Sequence, residues 1–255
     1  MSELFCAKHC DGEYSNVGHS ITVDLSAWDT SKVTNMRSTF ERAGRNSQFT
    51  SDISRWNTAS VTNMARTFFS AQGVKATSPL SGWDTSKVTT MRELYFAGGP
   101  GATVLAGWDT SRVTSFRSVF NQNSIGLATQ DISGWDTSKA TEMTGMFYMA
   151  HDFQSDIDRW DTSKVQTMQK TFYKAWKFNS DISEWDTSKV TNCKQMFQEA
   201  KIFNQDFVNH RQVQKGLHSH PKGHTIFASY QETKIRHFHQ TLDKWLSSDK
   251  APLSK

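Results

Sequence analysis

Apolar residues in this chain do not gather into long runs; they recur at fixed places in a repeated phrase. The phrase is plainest from Asp181 to Ala200, where Trp185 is followed by Val190, Cys193, Phe197 and Ala200, that is by apolar residues five, eight, twelve and fifteen positions on. Elsewhere the position five after the tryptophan is usually Val, the eighth most often Met and the twelfth aromatic; several units add Phe at the eighteenth. Positions spaced in this way share one face of a short helix or tightened turn. The Asp-Thr-Ser ahead of it supplies side-chain oxygens for the first unpaired amides. Before each tryptophan, a short Asp-Ile-Ser segment bounded by polar residues predicts a single short strand.

The phrase repeats. Seven tryptophans stand at 28, 56, 83, 108, 135, 160 and 185, a period of about 25 residues that falls in the range of stacked repeats. One strand and one helical turn cannot bury both faces alone, so neighbouring units must stack and pair their strands in parallel. The third and fourth units depart from the phrase, reading Ser78 to Trp83 and Thr103 to Trp108 without the leading Asp, and a Gly-Gly-Pro-Gly run at 98–101 separates them. Insertions there are expected to loop out. The organisation expected is an N-terminal cap at 1–23, a seven-repeat body at 24–206, and a basic, His-rich C-terminal segment at 207–255. In that segment Ile235, Phe238, Leu242 and Trp245 fall at helical spacing, as in a helix covering the last repeat.

The phrase Asp-Ile-Ser-x-Trp-Asp-Thr-Ser-Lys-Val-Thr-Asn-Met, followed by Met-Phe-x-x-Ala-x-x-Phe-Asn, resembles the repeat of mycoplasma and Listeria surface proteins, a BspA-like branch of leucine-rich repeats. The likeness runs from Asp24 to about Asp206. It implies an α/β repeat solenoid: a leucine-rich-repeat-like, right-handed stack with a short parallel β-strand and a short helix or 3-10 turn per unit, used for adhesion and protein contact and carrying no catalytic residues. Bacterial members usually have an export signal and a wall anchor. Residues 1–20 hold no apolar core of that kind, so both surface display and an intracellular role in a eukaryotic microbe stay open.

Charge changes the picture in one respect. Lys and Arg number 29 against 25 Asp and Glu, and the excess lies in the C-terminal segment, which leaves the repeat body near neutral. A neutral body is not expected to bind nucleic acid, which needs an uncompensated basic stripe. The three cysteines, Cys6, Cys10 and Cys193, are too few and too scattered for a disulfide framework. Metal chemistry has weak candidates in Cys6, His9, Cys10 and His19, and in the tail histidines, among them His218, His220, His237 and His239; a thiol-bearing cap and a capping tail are the simpler expectations. No nucleophile elbow, phosphate loop, dinucleotide fingerprint or zinc-protease signature occurs, and neither an enzyme nor a cofactor is expected.

Stacking turns every position of the phrase into a row. One residue past the tryptophan stand Asp29, Asp84, Asp109, Asp136, Asp161 and Asp186; four past it stand Lys32, Lys87, Arg112, Lys139, Lys164 and Lys189. The acidic row could attract a hard cation, but the basic row beside it answers the same charge, and each Asp is placed to cap a turn. The Thr two past the tryptophan, Thr30 through Thr187, is a capping residue before it is an ice-binding file. The tryptophans belong to a core or rim ladder rather than a stacking platform, and Cys193, at a Met position, reads as a small buried hydrophobe. The residue before each tryptophan varies, with Arg55, Arg159 and Glu184 charged, and is the expected contact surface. The function expected is a non-catalytic interaction or scaffolding module for a protein or glycan partner. The alternative is a peripheral linker subunit of a larger assembly, with membrane contact only through the basic tail.

Overall fold

The computed structural model describes residues 24–43, 52–71, 80–97, 105–122 and 130–204. The cap read at 1–23, with its cysteines and histidines, the glycine-rich run at 98–101 and the segment 207–255 lie outside them.

Consecutive units meet in register. Asn35, Asn63, Thr90, Ser115, Glu142, Thr167 and Asn192 are joined one to the next by parallel bridges, and each is the seventh residue after its tryptophan. Seven rungs at ~4.8 Å give about 30 Å of stack.

The strand therefore does not lie where the sequence placed it. The Asp-Ile-Ser segment is a turn, because the carboxylates of Asp52, Asp131 and Asp181 accept the amides of Ser54, Ser133 and Ser183 two residues on. The carbonyl of the aliphatic residue is also taken: that of Ile132 accepts the Trp135 amide at 3.1 Å and the Trp160 indole N–H of the next unit at 3.2 Å. With its acceptors so engaged, the segment cannot join a ladder.

Nor is the stretch after the tryptophan an α-helix, although it has a helix's spacing. A helix returns every N–H to its own chain. Here every second one leaves the unit. In the sixth unit the amides of Met168, Lys170, Phe172 and Lys174 donate to the carbonyls of Asn192, Lys194, Met196 and Gln198, at 2.7–3.0 Å. The intervening amides close turns within the unit, as from Thr171 to Met168 and from Tyr173 to Lys170. Two residues per unit, ten and fourteen past the tryptophan, take positive φ, for example Lys170 at 56° and Lys174 at 56°. Positive φ at the third residue of such a turn is the type II geometry, and it forbids helical continuation. Glycine fills this role once, at Gly145 (φ 60°); non-glycine residues hold it elsewhere, at a cost of about 1–2 kcal/mol each. The inter-unit hydrogen bonds from the same residues offset that cost. The one helical turn among the described residues is the 3-10 segment Leu80–Gly82.

The core is a set of columns. Phe40, Phe68, Tyr95, Phe120, Phe147, Phe172 and Phe197 stack in order at centroid spacings of 5.4–6.0 Å. The repeat tryptophans from Trp56 to Trp185 form a second column: Trp56, Trp83 and Trp108 stack at 6.3–6.4 Å, and Trp135, Trp160 and Trp185 at 6.4–6.5 Å, all buried and nearly parallel within each run. Every indole N–H in it reaches back to a carbonyl of the preceding unit, as from Trp83 to Ile53 at 3.0 Å. Buried Val, Met, Leu and Ile fill the space between. Each unit's core is thus completed by its neighbours, the nearest-neighbour arrangement expected of repeat arrays.

Candidate interaction surface

Two outward surfaces follow from this stack. The ladder face carries the residues up to nine past each tryptophan, and the turn face those from ten to seventeen past it.

On the ladder face the charged rows seen in the sequence are exposed, Asp186 only partly, but their chemistry is engaged. Asp29, Asp84, Asp109, Asp136, Asp161 and Asp186 each accept the amide of the serine two residues on at 2.8–2.9 Å, and Asn57 does the same for Ala59. Hydrogen bonds from that serine's side chain and then from its backbone hold the Asp29, Asp84, Asp109 and Asp161 carboxyls below the usual carboxylate range. The basic row adds to this: Lys87 acts on Asp84, Arg112 on Asp109, and Lys164 with Lys189 on Asp161, while Asp84 pushes Asp109 the other way. A file of carboxylates repels itself, and the lysines relieve it. Lys32 and Lys139 occupy the same exposed places.

From Thr30 to Thr162 the threonine file is not presented to solvent. Thr30, Thr58, Thr85, Thr110, Thr137 and Thr162 are buried, each hydroxyl donating to a main-chain carbonyl of the next unit at 2.9–3.0 Å. The tryptophan column is likewise closed to a ligand; Trp28, at its first position, is the one large side chain in it that is exposed. Cys193 is buried among Met and Phe, and burial pushes its thiol up to about 11. Arg55, Arg159 and Glu184 are exposed, as expected. Four units separate Arg55 from Arg159, about 19 Å of ladder, so they do not form one site.

The turn face is what sequence reasoning missed. Thirteen residues past the tryptophan, Phe69 stacks on Phe96 at 4.5 Å and Tyr148 on Tyr173 at 4.8 Å, all four partly exposed. Cations accompany them. The Arg66 guanidinium lies 3.9 Å from the Phe69 ring centre and is clamped by Glu41 and Glu93, each at 2.6 Å. Lys170 stands 5.7 Å from both tyrosine rings, and Lys174 5.5 Å from Tyr173. Sixteen past the tryptophan, His151 stacks on Trp176 at 3.7 Å, and the Lys201 amine covers the indole at 3.8 Å. Burial, then the Lys201 and Lys174 charges, lower the His151 pKa against the pull of Asp152. Asn121 Oδ1, His151 Nε2 and Trp176 Nε1, all on this face, are buried without a hydrogen-bond partner among the described residues. An unmet buried polar atom costs about 1–3 kcal/mol.

A signal for this face exists in the chain. Ten past the tryptophan the residues run Ser38, Arg66, Glu93, Ser118, Gly145, Lys170, Gln195, and thirteen past it Glu41, Phe69, Phe96, Asn121, Tyr148, Tyr173, Gln198. The tryptophan, the threonine two past it and the aromatic twelve past it recur almost unchanged from unit to unit; these positions do not.

Neither the curated proteins nor the solved structures provide a match to this chain. A family model does, over residues 8–125, 101–210 and 124–245, overlapping windows of the kind that a repeated phrase satisfies in more than one register. The matches together span well over half of the chain, which belongs to the repeat-containing family described as Mycoplasma protein of unknown function, DUF285.

Proposed function

We propose that this protein is a non-catalytic interaction or scaffolding module, a right-handed, leucine-rich-repeat-like solenoid of the BspA-like kind that recognises a protein partner through its turn face. One observation carries the reading. On the turn face the units differ through partly exposed aromatic rings and the cations beside them, the residue types that anchor protein interfaces. The aspartate row and the basic row of the ladder face are by contrast near-constant and tied up in caps and counter-charges.

A protein partner fits better than a glycan or a nucleobase. Sugars and bases stack on open ring faces, whereas the rings here lie face to face along the stack, each covering a face of its partner. Affinity capture of the protein from its own cells in mild detergent tests the assignment. Co-purifying proteins should be lost with Tyr148→Ala plus Tyr173→Ala and retained with Arg55→Glu plus Arg159→Glu, at equal thermal stability. The opposite pattern would move the contact to the residues before the tryptophans and refute the turn face.

A further inference from the structure

We propose that the turn face of the last three units docks an acidic peptide segment of a partner protein; this rests on the turn-face reading above. Four lysines, Lys170, Lys174, Lys177 and Lys201, stand there against two carboxylates. The carboxylates are already committed, Asp152 to Lys177 at 2.7 Å and Glu199 to Lys174 at 3.5 Å. Lys170 and Lys201 have no carboxylate within ion-pair distance among the described residues. Their amines are held instead beside aromatic rings, Lys201 at 3.8 Å from Trp176 and Lys170 at 5.7 Å from both Tyr148 and Tyr173. Ring contact fixes such an amine without neutralising it. An incoming carboxylate thus meets a positioned charge and spares part of the side-chain entropy that weakens ordinary surface pairs.

What surrounds the lysines narrows the occupant. Ring edges carry the positive end of the aromatic quadrupole, and they favour oxygen acceptors over further cations. Asp156, Asp158 and Asp181 line an adjoining open groove of about 410 Å³, which Lys177, paired with Asp152, also lines. That groove repels an acidic segment and confines it to the lysine side. Nucleic acid would use the same amines, but the paired rings leave it no platform for its bases.

The test is fluorescence anisotropy of the full chain with a fluorescein-labelled glutamate–tyrosine copolymer, at low and at physiological salt. The copolymer should bind, more weakly as salt rises. Lys170→Glu with Lys201→Glu should weaken it at least about tenfold, and the Lys→Gln pair less, because two positioned charges are reversed or merely removed. Reversing Lys87 and Lys139 on the ladder face should change affinity by less than about twofold, since these amines serve the aspartate row. Circular dichroism melts establish that each variant folds. Absent binding, an equal loss from the ladder-face reversal, or oligouridylate binding the same lysines as tightly would each overturn the proposal. If the copolymer fails while the tyrosine pair still abolishes capture, the acidic chemistry falls and the turn face stands.

Discussion

Replacing Thr137 by Val should destabilise the stack about four times as much as the same replacement at Thr141, although the two residues are four apart in one phrase. Val matches the shape of Thr, so each substitution removes a hydroxyl and little else. Thr137 is buried, and its Oγ1 donates to the Asp161 carbonyl of the next unit at 3.0 Å. That is the one hydrogen bond to this carbonyl among the described residues. Its loss leaves an orphaned acceptor at a closed junction, which costs about 1–3 kcal/mol. Thr141 Oγ1 donates to the Thr114 carbonyl at 3.1 Å, but that carbonyl already accepts the Thr141 amide at 2.8 Å and lies toward solvent. Removing the second donor there costs about 0.5 kcal/mol at most. Urea denaturation followed by tryptophan fluorescence resolves the difference. With a slope of about 2 kcal/mol/M, a cost of 2 kcal/mol lowers the midpoint by about 1 M at Thr137, against about 0.25 M or less at Thr141. Equal shifts, or a larger one at Thr141, would refute the claim that buried hydroxyls couple adjacent units.

Three further outcomes follow from the same geometry. Trp160→Phe keeps an aromatic ring in the column but removes the 3.2 Å bond to Ile132, whose carbonyl retains the Trp135 amide; lost bond and lost volume together should cost about 2–3 kcal/mol by denaturant titration. At Glu41, burial raises the carboxyl pKa, but hydrogen bonds from Arg66 and Ser38 and the Arg66 charge outweigh it, leaving the folded value depressed. The stability so gained is complete above the unfolded carboxyl range and is lost as pH falls through the folded value. Glu41→Gln should therefore lower stability at neutral pH and flatten its decline below about pH 4.5, as read from melting temperature against pH. Cys193, with its thiol raised to about 11, should stay unmodified by maleimide at neutral pH in the native protein and react promptly in urea, as read by peptide mass mapping.

Much of the body was legible in the chain because stacking makes a repeat obey one rule at every turn. Trp56 recurs at the same place in every unit and Phe68, Met64 and Val61 at the same offsets in most, and the aspartates after the tryptophans stood out as caps; burial from Trp56 onward and the hydrogen bonds to the serine amides agree with that. Periodicity alone could not say how the turn after the tryptophan closes. A spacing of three and four residues is shared by a helix and by a run of type II turns. Which of them forms depends on whether amides such as those of Phe172 and Lys174 find carbonyls in their own chain or in the next unit. The register likewise belongs to the tertiary structure: Asp-Ile-Ser had a strand's composition, but the tryptophan amide and the next indole had already taken its carbonyl, and pairing moved to Asn35 and its equivalents. The turn face shows the same division. Sequence alone set Tyr148, Tyr173, Trp176, Lys170 and Lys201 at positions that vary between units, but only stacking brought residues about 25 apart within a few ångströms and left the rings partly exposed.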